Sequence, residues 1–132
     1  MAAAGAGDRA DLVFVGSPAG GAWSHPLMGL YGATKAAVAQ LAVTLRGELA
    51  RAGVRVHNLE PSWTVTELTE AYADGVAALA ARAPELVAAV PPPDPAVVPL
   101  AAEDVAALVA LAVSTPPGID ITHLAVAPTR LG

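Results

Sequence analysis

Apolar residues fall along this chain in two alternating rhythms. Residues 12–15, Leu-Val-Phe-Val, form an unbroken run closed by Gly16-Ser17-Pro18. Such a run suits a strand covered on both faces, and a strand is expected over 12–17. Residues 18–28 are rich in Gly, Pro and Ser and read as loop. From Gly29 onward Val38, Leu41, Ala42, Leu45 and Leu49 recur at intervals of three and four. That spacing predicts a long helix over 29–52, with Gly53 as its C-terminal cap. Val54, Val56 and Leu59 mark a second strand over 54–60, stopped by Pro61-Ser62.

Residues 64–90 read as loop and helix, with Thr66 or Thr69 as N-cap ahead of Glu67 and Glu70. Pro91, Pro92, Pro93, Pro95 and Pro99 bar residues 91–100 from helix and from a central strand, so a surface loop is expected there. A further helix is predicted over 102–115, with Glu103 and Asp104 in its first turn and Pro116-Pro117-Gly118 ending it. A last strand is predicted over 120–127. The order strand, helix, strand, helix, helix, strand predicts an α/β fold with a mostly parallel sheet. About three strands make that sheet small.

Composition narrows the reading. The chain has 132 residues, 55% hydrophobic and 14% charged, which is enough for one ordinary domain and too apolar for a disordered chain. No Cys is present, so there is no disulfide framework, thiolate zinc site or thiol nucleophile. A net charge of −5 and scattered basic residues argue against nucleic acid as a partner. Mean hydropathy is +0.54, high for a soluble chain this short. Yet no run approaches the roughly 20 apolar residues of a membrane span, and Met1 to Gly7 lacks a basic leader region. A cytoplasmic protein is expected. Its surplus apolar surface calls for a covering partner.

Tyr31 and Lys35 stand four apart near the start of the long helix, which places them on one face. A phenol alone is a poor acid or base at neutral pH, and a neighbouring ammonium favours the phenolate. Ser17 and Ser24 lie in the loop before them. A serine hydroxyl at the end of the preceding strand can hydrogen-bond a substrate carbonyl. Together the three groups suit proton transfer coupled to hydride transfer.

The surrounding segments are Leu-Val-Phe-Val-Gly-Ser-Pro-Ala-Gly at 12–20, Tyr-Gly-Ala-Thr-Lys-Ala-Ala-Val at 31–38, Gly-Val-Arg-Val at 53–56, and Glu-Pro-Ser at 60–62 followed by Thr-Glu-Leu at 66–68. In this order and spacing they resemble the C-terminal half of the short-chain dehydrogenase/reductase family. The tail at 116–130 looks like that of its NADP-dependent branch acting on serine and related 3-hydroxy acids. The resemblance implies a partial Rossmann-like parallel sheet with flanking helices. It makes Tyr31 the catalytic acid/base, Lys35 its partner and the holder of the cofactor ribose, and Ser17 the group that orients the substrate carbonyl. It makes Pro61 and Thr66 cofactor contacts, residues 64–83 the substrate-binding loop and helix, and NAD(P), with NADP favoured, the cofactor.

Three departures accompany the resemblance. Ser62 stands where the family usually has Gly, and Gly16 replaces a frequent second serine. No Gly-x-x-x-Gly-x-Gly turn and no Asn-Asn-Ala-Gly segment occurs, so the N-terminal dinucleotide-binding half has no counterpart here. The chain on its own is therefore expected not to hold a dinucleotide in the usual way.

Trp23, Met28 and Trp63 are candidate walls of a substrate pocket. His25, His57 and His123 have no carboxylate or His at ligand spacing and read as loop or strand filling, with no metal site. Glu60 reads as a strand-end group and Glu67 as a helix-start group. Three functions stay open: NAD(P)-linked oxidoreduction of a small alcohol or carbonyl substrate, cofactor-free proton transfer by the Ser17, Tyr31 and Lys35 trio (an isomerase, dehydratase or cyclase), and a non-catalytic assembly partner. A homo-oligomer through the long helix, or a complementary N-terminal half, would complete the surface.

Overall fold

A computed structural model describes residues 9–21, 23 and 26–129. Three strands form one parallel sheet in the order β1-β2-β3: β1 is Ala10–Val15, β2 is Val54–Pro61 and β3 is His123–Val126. Ala10 to Val15 of β1 pair with Val54 to Leu59 of β2, and Asn58 to Pro61 of β2 pair with His123 to Val126 of β3. Between the strands lie α1 (Gly29–Leu49), α2 (Glu67–Arg82), α3 (Pro84–Val87) and α4 (Ala102–Val113).

The first strand ends with the apolar run at Val15, two residues short of the expected bound, and starts earlier, at Ala10. Ser17 leaves the ladder to cap a single 3-10 turn, Pro18–Gly20, its hydroxyl accepting the Ala19 N–H at 3.3 Å. Pro18 suits the first position of such a turn because its missing N–H would have no partner there. The long helix likewise stops at Leu49 and tightens into a 3-10 turn, Ala50–Ala52. Gly53 then turns the chain with φ 76°, a left-handed conformation that glycine adopts without steric cost. Residues 120–122 lie outside β3, which starts at His123.

The core is centred on β2. Val56, His57, Asn58 and Leu59 are all buried, while β1 and β3 are only partly covered. Ala42 of α1 and Ala112 of α4 supply small buried contacts, and both helices pack on β2. Arg46, in the last turn of α1, donates to the Val56 carbonyl and, at 2.7 Å, to the Thr122 carbonyl. One guanidinium thereby ties the helix to β2 and to the entry of β3. The proline-rich stretch is loop and exposed at most of its positions, with Val97 buried and Leu100 bridging to the chain just after β2. Large apolar side chains remain in solvent, with Leu30 83% and Val98 80% exposed. The described core is small for a chain this apolar.

A polar cluster closes the other end of the sheet. The Asp11 carboxylate accepts from Arg55 Nε at 2.7 Å and faces His57 Nε2 at 3.0 Å. His57 Nδ1 lies 2.7 Å from the Ile121 carbonyl. Arg55 also reaches the Val113 and Ile119 carbonyls and the Thr115 hydroxyl. Cationic donors at the last carbonyls of α4 satisfy groups that a helix end leaves unpaired. The Arg55 hydrogen bond holds the Asp11 carboxyl below its ordinary range against the opposing effect of burial, with His57 adding to the lowering.

Candidate active site

Two glycines set the geometry of the site. A Cβ on Gly32 of α1 would lie 2.7 Å from the Ala19 carbonyl oxygen, and one on Gly20 would lie 2.8 Å from the Ala36 nitrogen. The 3-10 turn after β1 is therefore seated directly on the backbone of α1, closer than any side chain permits. This seating brings the Ser17 turn alongside the helical turn that carries Tyr31 and Lys35.

Ser17 is buried. Its oxygen accepts the Ala19 N–H, and a hydroxyl that accepts still carries a hydrogen it can donate. Lys35 extends its ammonium over the Tyr31 ring, 5.6 Å from the centroid, within the range of a cation–π attraction. The same nitrogen donates to the Val15 carbonyl at 3.0 Å. Lys35 thus links the phenol to the end of the strand that leads into Ser17. The arrangement can hold a carbonyl oxygen near a hydroxyl donor and place a positive charge beside an acid/base.

An open groove of about 260 Å³ lies at the glycine contact, lined by Ala19, Gly20, Trp23, Met28, Gly32 and Ala36 among others. Trp23 and Met28 share this groove. Trp63 stands apart from it in the segment after β2, where its carbonyl accepts the Leu100 N–H at 3.0 Å. A second groove, about 210 Å³, lies between Leu27 and the Tyr72, Val76 and Leu79 face of α2. Leu27 has φ 66°, an unusual conformation for a side-chain-bearing residue. Neither groove is lined by Ser17, Tyr31 or Lys35.

Pro61 is the last residue of β2, and Ser62 continues toward β3 by donating to the Val126 carbonyl at 2.8 Å. Thr66 caps α2: its hydroxyl accepts the Thr69 N–H while the Thr69 hydroxyl accepts the Thr66 N–H. Glu67 and Glu70 follow in the first turn, where carboxylates favour the helix dipole. Ser24 and His25 lie outside the described residues.

Two histidines depart from the chain-spacing expectation. Glu60 and Asp120 stand three residues from His57 and His123 in sequence, but the fold pairs each ring with a carboxylate from another strand or loop, Asp120 itself lying 3.5 Å from His57 Nδ1. His57 meets Asp11 across the β1–β2 pairing, and His123 Nε2 meets Glu60 Oε2 at 3.0 Å across the β2–β3 pairing. Glu60 also accepts from Asn58 Nδ2 at 2.8 Å, and the buried Asn58 Oδ1 has no hydrogen-bond partner. Period-two alternation places Asn58 and Glu60 on one face, but only the strand register identifies their partner. Among the described residues no group of three or more His, Asp or Glu side chains could hold a metal ion, and no helix is long and apolar enough to cross a membrane.

The glycines also bear on the dinucleotide. Gly16, Gly20 and Gly32 face their own chain at close range, so none of these three is open to a pyrophosphate.

Comparison with known proteins supports one family. The short chain dehydrogenase family model matches residues 1–77. Sulfoacetaldehyde reductase 2 and sulfoacetaldehyde reductase of Chromohalobacter salexigens are each 36% identical over 124 residues, covering 94% of this chain. This chain spans 45% of those relatives' length. A serine dehydrogenase in a closed form complexed with NADP+ superposes with TM-score 0.67 at 29% identity, over 89% of this chain and 44% of that one. Serine dehydrogenase from Escherichia coli gives TM-score 0.60 at 28% identity, over 89% and 39%. The three parallel strands and their helices are a partial Rossmann-like fold, and the chain belongs to the short-chain dehydrogenase family.

Proposed function

We propose that this chain is the catalytic half of an NAD(P)-linked oxidoreductase acting on a small alcohol or carbonyl substrate, with NADP favoured. The observation that carries the reading is the seating of the Ser17 turn on α1 at Gly20 and Gly32, beside Tyr31 and under the reach of Lys35. The names of the relatives support it, since a sulfoacetaldehyde reductase and a serine dehydrogenase both interconvert small alcohols and carbonyls.

In the reducing direction the Ser17 hydroxyl donates a hydrogen bond to the substrate carbonyl oxygen, and Tyr31 gives that oxygen its proton. The ammonium of Lys35 stands 5.6 Å from the Tyr31 ring centroid as that proton is given up. A bound dinucleotide supplies the hydride. Lys35 would hold its ribose hydroxyls, with Pro61 and Thr66 beside its nicotinamide end. Trp23 and Met28 would wall the substrate groove. Trp63 lies further from it and takes the role of packing.

The glycine-rich part of the site comes from a complementary N-terminal half, in the same polypeptide or a separate one. Two features support this: the chain spans under half of its relatives, and one edge of β1 has no strand beside it among the described residues. The test is NADPH-linked reduction of sulfoacetaldehyde by a fusion of residues 9–132 behind the remaining segment of the C. salexigens reductase. Turnover is expected, and Tyr31→Phe should lower kcat by about a hundredfold or more. A Tyr31→Phe fusion as active as its parent overturns the assignment.

A further inference from the structure

Lys35 is the only lysine in the chain, and it is engaged with a backbone group as well as with Tyr31. The backbone group is Val15 C=O, at 3.0 Å from Nζ. Its direction follows from the ladder. Gly16 N–H donates to the Leu59 carbonyl at 2.6 Å, so Gly16 and Phe14 turn their backbone groups toward β2. In a parallel pair the intervening residue turns both of its groups the other way. Val15 N–H and C=O therefore face the side of β1 where no strand lies among the described residues. The Val15 side chain is itself 49% exposed.

An open edge of this kind is a template for another strand, and a lysine at the edge is one means of blunting it. Here the blunting lysine is also the one placed beside the acid/base.

We propose that Lys35 is a removable cap on the outer edge of β1. While that edge is open, the ammonium holds the Val15 carbonyl. A parallel strand laid along the edge takes the carbonyl with its own N–H and releases the ammonium to Tyr31 and the ribose hydroxyls. Covering the edge thereby arms the site. The occupant is an edge strand of the complementary half, since this chain spans only 45% of the reductase and 44% of the serine dehydrogenase it matches and leaves the rest of their length to supply one. The inference rests on the half-domain reading above. It adds a coupling between assembly and the catalytic lysine.

In the chain by itself the single lysine makes the test direct, because side-chain amine acylation reports Lys35 alone once the α-amino group is blocked; in the fusion, which carries a second protein's residues, the Lys35-bearing peptide is followed by mass spectrometry. In the chain by itself, acylation by acetic anhydride should run about fivefold or more slower than for free N-acetyl-lysine amide, the protection expected of a charge-assisted hydrogen bond. In the fusion described above, without dinucleotide, the rate should recover to within about twofold of that reference. Adding NADPH should slow it again. Equal rates in the isolated chain and the reference compound overturn the cap, whatever the fusion does. A folded fusion in which Lys35 stays as slow as in the isolated chain overturns the exchange. A fusion that fails to fold, judged by circular dichroism and gel filtration, overturns the half-domain reading and the strand exchange with it, leaving the cap to the first comparison. Lys35→Met supplies the zero-reactivity control in each case.

Discussion

Gly32 and Ala19 are in backbone contact: a Cβ on Gly32 would sit 2.7 Å from the Ala19 carbonyl oxygen. Backbone cannot retreat as a side-chain tip can, so Gly32→Ala must push the 3-10 turn off α1. The expected cost is about 1–3 kcal/mol, the range for overpacking a fitted contact, read as a lower Tm. Gly47 lies in the same helix with nothing within 4 Å of its added Cβ. Gly47→Ala should raise stability by about 0.5–1 kcal/mol through helix propensity. Opposite signs from the same substitution in one helix are the expected outcome. Equal and small effects would mean that the turn is not seated on α1.

Gly16 gives a second contrast. A Cβ there would meet Asn58 Oδ1 at 2.7 Å and Glu60 Cγ at 3.2 Å. Gly16→Ala crowds a buried oxygen that already has no donor. Gly16→Ser crowds it too, but brings a hydroxyl able to donate to it. The serine variant should be about 1 kcal/mol more stable than the alanine variant, measured by denaturant unfolding.

Asp11 links pH to stability. Its folded-state carboxyl is held below the ordinary value of 3.8, chiefly by the Arg55 hydrogen bond. A lowered pKa contributes stability that is fully present above the unfolded value and lost as pH falls through the folded one. Asp11→Asn should therefore cost about 1 kcal/mol at neutral pH, modest because the pair borders solvent. The gap between variant and parent should stay constant down to about pH 5 and close only at pH values below 3.8. A gap that narrows between pH 7 and 6 would assign the effect to another group.

Thr66 tests whether a capping residue also contacts cofactor. Thr66→Ala should destabilise by about 1 kcal/mol through loss of the cap on α2, and Thr66→Ser should restore it. A cofactor role adds a rise in KM for NADPH in the active fusion, which loss of a cap alone does not produce.

The order of elements was legible because apolar periodicity is a local property. Leu12 to Val15 and the Val38–Leu49 spacing each announce their own strand or helix. The shared face of Tyr31 and Lys35 is equally local, since the two stand one helical turn apart, whereas Ser17 joins them only through the family resemblance. The pairs that close the sheet were not legible. His57 finds Asp11, and His123 finds Glu60, only after strands far apart in the chain adopt a particular register. The burial of Val97 and the reach of Lys35 to Val15 are equally non-local. Boundaries slipped where a polar side chain intervened, as when Ser17 left β1 to cap the next turn.

β2 has a consequence for how this chain opens. Among the described residues it alone has a strand on each side, and Arg46 pins its Val56 carbonyl from α1. Local opening follows the distribution of buried, doubly paired backbone. Amide hydrogens of Val56 to Leu59 should therefore be the last to exchange with solvent, while those of β1 that face its open edge exchange early. A partner strand along that edge would move the slowest-exchanging layer outward by one strand, turning a rim of the molecule into its interior.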